Sequence, residues 1–126
     1  MRALLPKKAH LDNLARSLVT SRGKCEADCG KGGERDYDPF VWGHIISREC
    51  LYLRWRLDNA FCFHLSCERY FTNHPAEFRE FCAKKIGTHY EELKQEEVFA
   101  SRNSPYIDYG KIAYDLNRVK KLGYNK

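Results

Sequence analysis

No stretch of this chain approaches the roughly 18 consecutive apolar residues that a membrane-spanning helix needs. The opening, MRALLPKKAH, lacks the apolar segment of a secretory signal. There is no internal repeat and no low-complexity tract, so neither a stacked array of modules nor a compositionally biased tail is expected. The overall balance is hydrophilic: 31% of the residues are charged and the mean hydropathy is −0.66. A chain of 126 residues with that composition predicts one domain with a thin core, of the kind that a bound metal often reinforces. These absences together predict a cytoplasmic protein with no membrane partner. Its six cysteines are then expected to be thiols or metal ligands rather than disulfides.

Net charge is +5, and the excess sits at the two ends. Residues 1–24 carry Arg2, Lys7, Lys8, Arg16, Arg22 and Lys24 against Asp12 alone. Residues 111–126 carry Lys111, Arg118, Lys120, Lys121 and Lys126 against Asp115. Basic ends suit a polyanion such as nucleic acid, whose phosphates release counterions to each cation, although ordinary solubility accounts for them equally well.

Periodicity supplies the frame. Leu11, Leu14, Leu18 and Val19 form the apolar stripe of a basic N-terminal helix over residues 6–22, entered at Pro6 and stopped by Gly23. The Gly-rich CEADCGKGGERDYDP is predicted to be a loop and FVWGHII a short strand. A helix entered at Pro75 would place Phe78, Phe81 and Cys82 on one face and end at Gly87. A further helix is expected after it, capped by Thr88 with Glu91 completing a capping box. A linker then leads to a terminal helix with Ile112, Leu116 and Val119 on one face. The fold class predicted is α+β: a basic helix (1–24), a metal-bound core (25–87) and a helical C-terminal extension (88–126), within one domain.

Cys25 and Cys29, separated by a three-residue gap in CEADC, have spacing that half a zinc site tolerates. Cys67 belongs to the other half, and its partner is open on spacing alone. His64 gives a two-residue gap and Cys62 a four-residue gap, both acceptable for zinc. Cys62 lies between Phe61 and Phe63, where a buried cysteine serves as a small hydrophobe. Cys50 and Cys82 also lie in apolar settings and read as core.

The stretch GHIISRECLYLRWRLDNAFCFHLSCERYFTN resembles the phage NinG/Rap recombination endonucleases, a branch of the HNH and treble-clef nucleases. That family has a GH-[FI]-I-S-R segment, an L-R-W segment and an Asn followed at five and eight residues by two zinc cysteines. Here these are residues 43–48, residues 53–55 and Asn59, so the zinc positions fall on His64 and Cys67. LDNLARSLVTSRGKCEADCGK and IGTHYEEL extend the likeness to about residues 10–95.

The resemblance implies a treble-clef or ββα-metal core. Its structural zinc would be held by Cys25, Cys29, His64 and Cys67. A catalytic magnesium or manganese would be held near Glu68 and Asn73, with His74 in reserve. His44 would be the general base, with Asn59 holding its ring. Arg48, Arg54 and Arg56 would grip phosphate. The implied substrate is DNA, branched as in recombination intermediates, cut in a phage-infected bacterial cell; a homodimer would suit branched DNA, and no residue compels one.

The chain departs from the pattern at two places. Gly43 precedes the base where many HNH enzymes have Asp or His, as it does throughout the NinG-like branch. Glu68 stands where the family has Asn and most HNH proteins have His. Each assignment has a plainer counterpart. His44 reads also as a core histidine between Trp42 and Ile45, and Glu68 as a solvated helix residue beside Arg69. The arginines read also as salt-bridge partners of Glu49 or Asp58. Trp42 and Trp55 are expected to pack over the zinc core rather than stack on bases. Two rival functions follow: a zinc-stabilised DNA-binding protein that does not cut, and a phage protein that binds a host protein through the acidic, aromatic segment 88–109.

Overall fold

The computed structural model describes residues 6–123; Arg2 and Lys126, counted above among the basic ends, lie outside them. Helix α1 (Lys8–Thr20) leads through a long loop to strand β1 (Phe40–His44). A second loop carries the short helix α2 (Leu51–Arg54) and a single 3-10 turn (Leu57–Asn59) before strand β2 (Ala60–His64). Helices α3 (Leu65–Asn73), α4 (Pro75–Ile86), α5 (Thr88–Asn103) and α6 (Tyr109–Leu122) follow. The fold is α+β, with six helices and one two-stranded sheet among the described residues. No helix among them is long and apolar enough to cross a membrane.

The strands pair antiparallel, with Phe40 opposite His64, Trp42 opposite Cys62 and His44 opposite Ala60. Side chains alternate along each strand. One face therefore presents Phe40, Trp42, His44, Cys62 and His64, and the other Val41, Gly43, Phe61 and Phe63. On the second face Phe61 and Phe63 meet Phe71 of α3 and Phe78 and Phe81 of α4, with ring centroids 4.9–6.4 Å apart. These offset and edge-on contacts make a dense aromatic core from few residues. A separate apolar cluster joins α1 to α6 through Leu11, Ala15, Leu18, Trp55, Ala113 and Leu116. Trp55 thus packs between the terminal helices and not over the cysteine cluster, contrary to expectation.

The helix ends follow local chemistry. Pro75 opens α4, and Gly87 with φ +56° closes it. The expected capping box does not form: α5 begins at Thr88 itself, with Gly87 at the cap position and no side-chain cap. Asp108, unmarked in the sequence reading, caps α6 by accepting a hydrogen bond from the Lys111 N–H. The four-residue α2 was not expected either; its burial of Leu53 is a tertiary effect.

Candidate metal centre and adjoining cleft

The first loop and the start of α3 bring Cys25, Cys29, His64 and Cys67 together, with their ligand atoms all within 4.8 Å of one another. Tetrahedral zinc with Zn–S bonds of about 2.3 Å needs ligand separations only somewhat shorter. Asp28, with φ +57°, and Gly30, with φ +72°, turn the backbone so that Cys25 and Cys29 face the same point. Lys85 of α4 reaches the Asp28 carboxylate at 2.8 Å and ties that turn to the helices.

His64 is the partner of Cys67, and Cys62 is not. The His64 Nε2 lies 2.9 Å from the Gly33 carbonyl, which only accepts, so the proton resides on Nε2. That leaves the Nδ1 lone pair available to a metal, and Nδ1 lies 3.3 Å from Cys29 Sγ. A histidine ligand oriented by a carbonyl on its far nitrogen is the usual arrangement at zinc. Cys62, fully buried on the strand, lies outside the cluster, and burial pushes its thiol up to about 11.

The electrostatics ask for a cation. Burial and the neighbouring Cys25 and Cys29 push the Cys67 thiol up to about 12. At Cys29 burial also opposes the thiolate, but the Lys31 backbone N–H and the contacts with His64 and the other thiols outweigh it and bring the thiol down to about 7. Several thiolates can share this space only if a positive ion neutralises them. The four residues fit a structural metal such as zinc.

Across β1 lies a second arrangement. His44, at the end of β1, lines a small cleft of about 80 Å³ together with Gly43, Phe63, Glu68, Phe71, Thr72 and Phe78. Its Nε2 lies 3.0 Å from the Arg54 carbonyl, so Nε2 carries the proton and Nδ1 is left as an acceptor. The indole of Trp42 packs on the ring at 4.1 Å. Burial holds the His44 pKa below the usual histidine value, and the nearby Arg48 and Arg54 charges add to the effect. The imidazole is therefore neutral at pH 7, the state a base requires.

Asn59 does not touch that ring. Fully buried, it accepts from the Ile46 N–H at 2.8 Å and donates to the Ile46 and Leu53 carbonyls at 3.1 Å each. It staples the loop between β1 and the 3-10 turn, and the ring is held by the Arg54 carbonyl that this loop carries. Asn73, at the exposed end of α3, does not line the cleft; Thr72 does. Residues four apart share a helix face, so Thr72 rather than Asn73 accompanies Glu68, and its hydroxyl lies 3.0 Å from the Glu68 carboxylate. This spacing was readable in the sequence. His74 stacks on Tyr70 and bonds its carbonyl, away from the cleft.

The arginines also differ from expectation. Arg54 is clamped by Asp12 through Nε at 3.0 Å and Nη2 at 2.7 Å. Arg56 bonds Asp58 through Nε and Nη2 and Glu96 through Nη1. Both guanidinium groups are thus engaged by carboxylates of this chain, the same fork geometry that phosphate would take. Arg48 touches Asp12 only at 3.3 Å, and over half of its side chain is exposed.

Gly43 has a steric reason. A Cβ there would stand 2.7 Å from Phe63 Cδ2 and 3.3 Å from the Phe61 carbonyl. No side chain fits before His44, whatever its chemistry. Gly43→Ala is expected to cost about 1–3 kcal/mol by overpacking, seen as a lower urea midpoint at constant slope.

No protein-family model, curated protein or solved structure matches this chain.

Proposed function

We propose that the protein is a metal-dependent phosphodiesterase of the HNH type, built on a zinc-stabilised treble-clef core. Within that class it is read as a DNA endonuclease like those of the phage NinG/Rap family. The observation that carries this reading is the small cleft lined by His44, whose neutral imidazole keeps Nδ1 as an acceptor, together with Glu68 and Thr72. A general base, a carboxylate and a hydroxyl at one opening are the side chains that hydrolysis of a phosphodiester requires.

His44 Nδ1 takes the proton from the attacking water. Nε2 keeps its own proton on the Arg54 carbonyl, which fixes the ring while Nδ1 works. Glu68 and Thr72 offer the hard oxygen donors that magnesium or manganese prefers. Those two side chains would hold a divalent ion, which would supply polarisation of the scissile phosphate and charge stabilisation on the leaving oxygen. Arg48, beside the base and largely free, is the arginine suited to a phosphate oxygen. Lys7, Lys8, Arg16 and Lys24 are exposed, and the one acid of α1, Asp12, is buried. The N-terminal helix therefore presents a nearly unopposed positive surface, suited to salt-dependent binding of DNA.

The test is cleavage of an end-labelled four-way junction and its linear control with magnesium, with manganese and with chelator. Cutting that depends on the divalent ion is expected, with preference for the junction. Binding without cutting under every metal condition would replace this reading with a zinc-stabilised DNA-binding protein. Indifference to DNA would remove both.

A further inference from the structure

Asp12 lies in the middle of α1, far in sequence from the cleft, and the residue is only 6% exposed. Oδ1 accepts from Arg54 Nε at 3.0 Å and from the Trp55 indole N–H at 2.9 Å. Oδ2 accepts from Arg54 Nη2 at 2.7 Å and Arg48 Nη2 at 3.3 Å. The side chains on both sides of the 54–55 peptide therefore end on one buried carboxylate. The carbonyl of that same peptide is the group that holds His44 Nε2 at 3.0 Å.

We infer that Asp12 is a positioning residue, which clamps the Arg54–Trp55 peptide so that its carbonyl fixes the orientation and tautomer of His44. A peptide plane rotates about one soft dihedral on each side, here ψ of Arg54 and φ of Trp55, and pinning both flanking side chains removes much of the freedom to rotate the carbonyl away. Asn59 holds the preceding carbonyl, Leu53, from the other side of the loop. Helix α1 is thereby part of the histidine's support and not only a basic appendage. A purely structural ion pair needs no relation between the clamped peptide and the imidazole. The coincidence of the two on one carbonyl is what assigns the role.

The other groups near the ring are accounted for. Trp42 packs on its face, Arg48 and Arg54 lie beside it with the Asp12 charge, and Glu68 and Thr72 line the same cleft. Among the described residues, the Arg54 carbonyl is the hydrogen-bond partner recorded for the ring, so losing its placement frees the tautomer.

The inference rests on the proposed function only for its effect on rate, and its main readout does not need cleavage. Imidazole ¹⁵N shifts of the full-length, zinc-loaded protein report the His44 tautomer. Wild type is expected to show the Nε2–H form. Asp12→Asn, which loses the charge and one acceptor, is expected to show a mixture of tautomers. Its kcat should fall about 10–100-fold, the range known for loss of a partner that orients a metal-bound histidine and taken here for a base held the same way, with KM unchanged. Trp55→Phe keeps the carboxylate and removes one tether, and should shift the tautomer less in the same direction. An Asp12→Asn protein that folds and keeps the wild-type tautomer overturns the inference. If that variant does not fold, an unchanged tautomer in Trp55→Phe overturns it. A tautomer shift in a protein that cuts no DNA supports the clamp and defeats the nuclease reading alone.

Discussion

Cys67→Ser is expected to unfold the protein, not merely to weaken it. The sheet has two strands, and a two-stranded sheet is at best marginal alone. What fixes β2 to the first loop is the cluster itself: His64 and Cys67 stand at the end of β2 and the start of α3, and Cys25 and Cys29 stand in the loop. The loop has other attachments. Asp38 accepts from the Ser66 N–H and hydroxyl at the start of α3, and Glu26 exchanges hydrogen bonds with Cys62. Such bonds contribute about 1 kcal/mol each, whereas structural zinc supplies about 10–16 kcal/mol of folding free energy. That is as large as the whole net stability of an ordinary domain, about 5–15 kcal/mol. Loss of far-UV circular dichroism in Cys67→Ser, and in wild type after chelation, checks the expectation. Cys62→Ser should keep its metal and most of its structure. A metal-free Cys62→Ser beside a metal-loaded His64→Ala would reverse the ligand assignment. Acid should release the metal, because every thiolate and His64 Nδ1 must be deprotonated to bind it.

The second large effect is expected at His44. His44→Ala should lower the cleavage rate by about 10²–10⁴-fold, the usual contribution of a positioned general base, while metal content and thermal midpoint change little. The ring is held by one carbonyl and one indole and lies outside the cysteine cluster. In wild type, the rate should fall with acidity as His44 gains a proton. Because its pKa is held below the usual value, that fall should lie below about pH 6.5, with a level profile above. The sign for stability is the same. The unfolded chain binds this proton more readily than the folded one, so stability falls as pH drops from about 6.5 toward the lowered pKa.

Much of this site was legible in the residues, and the reasons differ from place to place. The ligand spacing of Cys25, Cys29 and Cys67 could be counted, but the choice between Cys62 and His64 depended on which side chain reaches the cluster. Both lie on one face of β2, and only the three-dimensional path of residues 25–33 separates them. Helices α1, α4 and α6 followed from apolar spacing and from Pro75 and Gly87 at their ends. Helix α2 did not, since four residues carry no period. The arginine partners were hidden because Asp12 lies 36–43 residues before Arg48, Arg54 and Trp55. Local reading can pair Arg56 with Asp58 but cannot anticipate a buried carboxylate from a distant helix. The absence of an acid before His44, which looked like a gap in the chemistry, is a packing consequence of Phe63.

One measurement tests the two-site account most directly: zinc content and DNA cleavage determined on the same preparation of His44→Ala, beside wild type. One zinc per chain in both proteins, with magnesium-dependent cutting in wild type alone, is the predicted result. Zinc lost from His44→Ala, or cutting at the wild-type rate by that variant, would contradict it.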